Sequence, residues 1–175
     1  MAEPHDQAAP TQTLLLAAGQ DCPGILDAIT EHLSAQGGQV EEMKVTRLRG
    51  IVALVLLFTA DADALERIRG GLPYLSERTE MDITLRKAGD ASHATRTMRL
   101  VADGPREVHL LKEVSNLTRV LNVNITEASA EISTPGRQRV DLTIDLPGDV
   151  APEKFHELLG QLLDHHGASW ELVSM

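Results

Sequence analysis

The sequence predicts an α+β chain built from two copies of one βαββαβ unit, and three observations predict it. The 175 residues divide into two stretches that repeat the same order of strand-like alternation and helical periodicity. A break in strand alternation at Glu42 recurs at Glu127, 85 positions later. A segment of linker composition, Lys87-Ala-Gly-Asp-Ala-Ser-His93, separates the stretches. Each copy fits a four-stranded antiparallel sheet with two helices on one face, a ferredoxin-like split βαβ. The expected boundaries are a tail at 1–10, a first domain at 11–88, a linker at 89–94 and a second domain at 95–175.

In the first copy, Leu14–Ala18 reads as a strand closed by Gly19-Gln-Asp-Cys-Pro-Gly24. A helix follows, with Ile25, Ile29 and Leu33 on one face and Gly37-Gly38 as its stop. Val40–Leu48 and Ile51–Phe58 are strands around a turn at Arg49-Gly50. Asp61 is placed to cap a helix carrying Leu65, Ile68 and Leu72, which is expected to stop before Pro73. Met81, Ile83 and Leu85 alternate in the fourth strand.

The second copy repeats this. Met98, Leu100 and Ala102 alternate, and Leu111, Val114, Leu117 and Leu121 keep helical spacing. Ile125–Ile132 and Val140–Leu146 flank a turn at Pro135-Gly136. Pro152 opens a helix with apolar residues at 155, 158, 159, 162 and 163; Gly167 ends it before the strand at Trp170–Val173. The paired breaks at Glu42 and Glu127 read as one β-bulge, duplicated. In the second copy Asp141, Thr143 and Asp145 turn one sheet face to water. In the first, Leu14–Ala18 and Ile51–Phe58 are apolar at nearly every position, so both faces are expected to be covered, one of them by the other copy or a second chain.

Composition narrows the function. Only four aromatic rings occur, Phe58, Tyr74, Phe155 and Trp170, too few for base-stacking platforms or aromatic cages. With 26 acidic and 16 basic residues the formal charge is −10, which argues against direct nucleic-acid binding. A single cysteine, Cys22, forms no internal disulfide and no cysteine-based zinc cluster. The N-terminal stretch has no signal-peptide apolar region. The longest apolar run, Ile51–Phe58, falls far below the ~20 residues that span a bilayer. The expectation is a cytoplasmic, non-membrane protein.

Candidate catalytic groups have simpler readings. Asp61-Ala-Asp63 resembles the start of aspartyl-phosphate phosphatases, but Leu65 stands where a Thr or Ser is needed, and a helix cap explains Asp61. Asp141 and Asp145 lie about 13 Å apart along a strand and read as a solvated face. Glu153 and His156 lack the second pair a helical carboxylate metal site needs, and His165-His166 suits a helix C-terminus. Cys22 has no identifiable base partner. No phosphate loop, nucleophile elbow or dinucleotide fingerprint occurs. An enzyme is not expected, nor a metal or cofactor.

One constellation remains: Gly19, Gln20, Asp21, Cys22, Pro23, Gly24 and Ile25, between a strand end and a helix start. Its glycines permit a tight turn and close backbone approach, and first-turn N–H groups there suit a carboxylate. The alternative is a plain capping turn with Asp21 as N-cap.

A strand ending in Gly-x-Asp-x-Pro-Gly-Ile, a helix, Gly-Gly and a strand opening Gln39-Val40-Glu-Glu42 resembles the ACT domain, a small-molecule regulatory module that most often senses amino acids. Two copies over 11–175 resemble the tandem-ACT repressors of the glycine cleavage system, and the tandem module ahead of the catalytic domain in some phosphoserine phosphatases. No phosphatase domain follows the second copy, so the resemblance implies a free-standing sensor. It also implies a ligand held between units, the first loop of one facing the start of the second strand of the other. That strand often opens Gly-Val-Asn-Ile. The second copy keeps this asparagine in Asn122-Val-Asn124-Ile125, whereas the first has Gln39. The second copy's loop, Ala102-Asp-Gly-Pro-Arg106-Glu107, lacks the glycine at the helix start. The resemblance therefore implies one good composite site, the Asp21–Ile25 loop with Asn124, and a degraded reciprocal one with Gln39. The partners it implies are a small carboxylate ligand, a signalling protein and a second copy of the chain.

Overall fold

The computed structural model of the chain describes residues 10–89 and 96–175. The predicted tail, apart from its last residue, and most of the predicted linker lie outside them. The chain divides into two compact units, residues 1–90 and 91–175.

The first unit runs β1 (Thr11–Gln20), α1 (Ile25–Ala35), β2 (Gln39–Leu48), β3 (Ile51–Ala60), α2 (Ala62–Thr79), β4 (Met81–Lys87). Its sheet is antiparallel with order β2-β3-β1-β4. Alternation sends Leu15, Ala17, Leu54, Leu56 and Phe58 to the helix side, where they meet Ile29, Leu33, Ile68 and Leu75 in an aliphatic core around one ring. The strands run one to three residues past the apolar runs that announced them, because ladder pairing continues through the polar ends Thr11–Thr13 and Thr59. Arg49 and Gly50 both have positive φ, 49° and 81°, which matches a twisted two-residue hairpin.

Asp61 caps α2, accepting a bond from the Ala64 N–H at 2.7 Å. The helix does not stop before Pro73; it passes through the proline to Thr79. Ala64, Ile68, Leu75 and Thr79 form one buried stripe, and closing that stripe outweighs the backbone bond that Pro73 cannot make to Arg69. Beside this weakened turn, the His32 ring of α1 hydrogen-bonds through Nε2 to the Ile68 carbonyl at 3.0 Å. It lies against Gly71, where a Cβ would stand 2.3 Å from His32 Cε1.

The second unit runs β5 (Arg96–Pro105), a 3-10 turn (Arg106–Val108), α3 (Leu110–Val120), β6 (Asn124–Thr134), β7 (Arg137–Leu146), α4 (Pro152–His165), β8 (Ser169–Ser174). Its sheet order, β6-β7-β5-β8, repeats the first. Leu100, Leu142, Ile144, Val114, Phe155 and Leu159 fill its core, again around one phenylalanine. The duplicated bulge is present in both copies: register shifts between Val40 and Glu42, and between Ile125 and Glu127. The unpaired residue is Glu41 in one and Thr126 in the other, one position before the break in alternation. A further shift lies between Ile132 and Thr134. The hairpin there is Pro135-Gly136, with φ negative at the proline and 80° at the glycine. That turn does not match strand twist as Arg49-Gly50 does, and an extra residue, Ser133, restores it by coiling the strand.

The faces turned away from the helices differ. In the second unit this face is ionic: Arg99 pairs with Asp141, Arg137 with Asp103, and Thr97 donates to Asp145. In the first, register sets Glu42, Leu57, Leu14 and Arg86 in one row and Lys44, Val55, Leu16 and Thr84 in the next. Burial of both faces was expected. The helices cover one, while on the other Leu14, Leu16 and Leu57 are half-buried and Val55 and Ile51 are exposed at 43% and 48%.

Candidate functional site

Gly19 and Gln20 are the last residues of β1, so the loop proper is Asp21–Gly24. Gly19 is fixed by crowding: a Cβ there would lie 2.6 Å from the Glu80 carbonyl oxygen. Its counterpart Gly104 faces Ala168 and Leu110 at 3.0 Å, so both copies need a glycine where the first strand passes the entry to the last. Gly24 answers the other requirement. It holds φ 90° at the N-cap of α1, and no side chain caps the helix there. The Asp21 capping alternative is therefore not what the chain adopts. The Asp21 carboxylate turns instead to Arg47 on β2 at 2.9 Å, and its N–H donates to the Gly50 carbonyl. Cys22, Pro23 and Gly24 are exposed and Ile25 is buried.

In the second unit the equivalent turn sits later than the sequence suggested. Ala102–Pro105 belong to β5, because their pairing with β7 continues to Arg137. The turn is Arg106–His109, tied by the Arg106 N–H to the Gly136 carbonyl as Asp21 is tied to Gly50. The residue matching Gly24 is His109, with φ 54°. The missing glycine is thus a histidine held left-handed. An open depression of about 600 Å³ lies beside it, lined by His109, Leu111, Lys112, Ser115 and Gln138.

Gln39 and Val40 open β2, and Asn124 and Ile125 open β6. Asn124 is exposed and Ile125 half-buried. Asn122 has a backbone role: at φ 54° it ends α3 as Gly37, at 91°, ends α1. Within either unit the loop and the opening of the second strand lie at opposite ends of the sheet. Gln20 pairs with Ile51, whereas Gln39 pairs with Thr59, beside Gln12. One unit alone does not bring them together.

The rejected catalytic candidates have structural places. The Asp141 carboxyl is held below its usual pKa by the hydrogen bond from Arg99, and Asp103 by bonds from Ser133 and Arg137. His156 packs against Trp170 with ring centroids 5.0 Å apart, and His165 and His166 meet edge to face. Among the described residues no group of three or more His, Cys, Asp or Glu is arranged to hold a metal. Among them, too, no helix is long and apolar enough to cross a membrane.

Two ferredoxin-like units stand in tandem, each with a β1–α1 turn closed by a left-handed residue, and residues 11–86, the first unit, match the family model described as ACT domain. Over part of its length the chain is similar to curated proteins. It is 24% identical over 119 residues to the glycine cleavage system transcriptional repressor of Escherichia coli K12, and equally to that of Shigella flexneri. That match covers 65% of this chain and 61% of each relative. A crystal structure assigned provisionally to such a repressor superposes with a TM-score of 0.76 at 12% identity, covering 96% of this chain and 99% of the other. An uncharacterised protein from Galdieria sulphuraria superposes at 0.81 with 20% identity, covering 95% and 99%.

Proposed function

We propose that this chain is a non-catalytic regulatory protein that senses an amino acid, or a similar small carboxylate, through its ACT units and signals through a protein partner. The observation that carries the reading is the start of α1. A left-handed Gly24 leaves the first-turn N–H groups without a side-chain cap, and Arg47 draws the Asp21 carboxylate aside. Such a helix end favours an anion. Asn124, exposed at the start of β6, supplies the amide of the composite site, with Gln39 its counterpart in the other copy. Binding would shift the population of arrangements available to a partner. Similarity to a transcriptional repressor supports a role in gene regulation, and the −10 charge assigns any DNA contact to the partner.

A thermal-shift screen of the full chain against the common amino acids tests this. Ligand at about 100 times its Kd adds roughly 2.7 kcal/mol, about 5–10 °C for a chain of this size. Asn124→Ala should remove the shift; a shift left intact overturns the role of Asn124 and moves the amide to Gln39. No shift with any amino acid, together with a melting point that rises with protein concentration, would favour an assembly protein whose pocket has decayed. The depression at Lys112 supports a second location for the carboxylate, in which case Lys112→Ala, not Asn124→Ala, abolishes the shift.

A further inference from the structure

We propose that the open depression between α3 and β7 of the second unit binds a small phosphorylated compound, its phosphoryl group held by Lys112, His109 and Ser115. The site is built by one unit alone and stands apart from the composite amino-acid site.

The depression, about 600 Å³, is lined by His109, Leu111, Lys112, Ser115 and Gln138. That volume lies within the about 300–1,000 Å³ of small-molecule sites. Helical spacing sets Lys112 three residues and Leu111 four residues before Ser115, on one face of α3, with His109 at the N-cap ahead of them. Gln138 comes from β7, two residues before the buried Val140 and so on the helix side of the sheet.

Around one leucine the lining offers an ammonium, an imidazole that keeps an N–H in either charge state, a hydroxyl and an amide. None of the five residues is acidic. Among the described residues, none of these four polar side chains is engaged in a hydrogen bond or ion pair within the chain. An amino acid would bring an ammonium in need of a carboxylate, and no carboxylate lines the depression. A phosphoryl group brings a charge of about −1.5 to −2 and three acceptor oxygens, which match three donors and no acceptor.

The first unit serves as an internal control. Gly24, Leu26, Asp27, Thr30 and Val52 hold the same five places there, since Gln138 pairs with Gly104 as Val52 pairs with Gly19. A leucine and a hydroxyl are common to both units, and the other three positions differ toward a donor or a positive charge. Each difference works against the fold. Histidine takes the place of glycine at a left-handed φ of 54°. Lysine in the first turn opposes the helix dipole that Asp27 complements. A half-buried amide stands where the first unit buries Val52. Three local costs that converge on one depression mark a binding surface, not a packing solution.

Two-dimensional NMR of the isotope-labelled full chain tests the proposal, with inorganic phosphate and phenyl phosphate as probes and sodium chloride to match ionic strength. The backbone amides of residues 109–115 and of Gln138 should shift saturably, with a Kd of about 1–10 mM for phosphate. Phenyl phosphate, whose ring covers Leu111, should bind about threefold or more tighter. Lys112→Asp should weaken both probes by about tenfold or more, and His109→Gly by about threefold. Each variant installs the residue with which the first unit folds, and far-UV circular dichroism verifies that the fold is kept. Shifts that fail to saturate, or that sodium chloride reproduces, overturn the site. Phosphate binding that survives Lys112→Asp overturns it as well. Glycine shifting these amides as strongly as phosphate overturns the phosphoryl assignment, whereas glycine shifts confined to residues 21–25 support two separate sites. None of the failures touches the amino-acid reading at the Asp21–Ile25 loop.

Discussion

Alanine is the best helix former and glycine nearly the worst, so an interior Gly→Ala change in a helix normally stabilises by about 0.8–1 kcal/mol. Gly70 and Gly71 in α2 should break this symmetry. At Gly70 a Cβ would meet nothing within 4 Å, and Gly70→Ala should give that full gain. At Gly71 the new Cβ would lie 2.3 Å from Cε1 and 3.1 Å from Nε2 of His32, so the ring must leave. Leaving costs its bond to the Ile68 carbonyl, about 0.5–1.5 kcal/mol, and the contacts of a half-buried ring, of the order of another 1 kcal/mol. The losses exceed the helical gain, and Gly71→Ala should destabilise by about 1 kcal/mol. His32→Ala makes the same losses in advance. On that background Gly71→Ala should stabilise, for a coupling of about 2 kcal/mol between the two positions. Urea unfolding followed by far-UV circular dichroism reads these differences, while Trp170 fluorescence reports the second unit as an internal control. If Gly71→Ala proves as stabilising as Gly70→Ala, the notch account of this turn is wrong.

In α4, Gly160→Ala would set a Cβ 2.9 Å from Trp170 Cζ2 and should destabilise the second unit by about 1–3 kcal/mol. Loss of the Trp170–Asp164 bond at 2.9 Å should also shift the tryptophan emission, and an unchanged spectrum would contradict the crowding. Gly19→Ala meets a backbone oxygen rather than a movable side chain, so thermal unfolding should show a loss of about 1–3 kcal/mol with no recovery from truncating neighbours. Asp141 and Asp103 have folded pKa values lowered by their partners, so their contribution is present above the unfolded value near 4 and is lost as pH falls through the folded one. Acid titration of Trp170 fluorescence should show this loss below about pH 4, and Asp141→Asn should flatten part of it.

The duplicated order of elements, the bulge and the Asp61 cap were legible because each is written in local chemistry that a pleated strand or a helix start demands. The end of α2 was not. Gly70, Gly71 and Pro73 are strong local stop signals, and only the recurrence of Leu75 and Thr79 on the face of Ala64 and Ile68 argues for continuation. The turn at Arg106–His109 was misplaced for a related reason. Glycine advertises a left-handed position and histidine does not, so the pairing of β5 with β7, a contact distant in sequence, had to locate it. Of the candidate site, motif reading located the loop at 19–25 and Asn124 but left open whether Asp21 caps α1, which the backbone of Gly24 decides. The Asp21–Arg47 pair did not, because β2 meets the loop only once the sheet is assembled.

The hairpin at Pro135 bears on the history of the chain. From the first strands to the bulges the copies correspond at 85 positions, Gly24 to His109 and Glu42 to Glu127; beyond Ser133 they correspond at 86, as Gly50 to Gly136 shows. An odd insertion in a pleated strand would ordinarily turn every later side chain inside out. Here it was absorbed within two residues of where it arose, and Val140, Leu142 and Ile144 still face the core. A proline turn and its compensating residue therefore work as one structural unit. A chimaera that moves Pro135-Gly136 into the first copy without Ser133 would import the mismatch and leave its remedy behind.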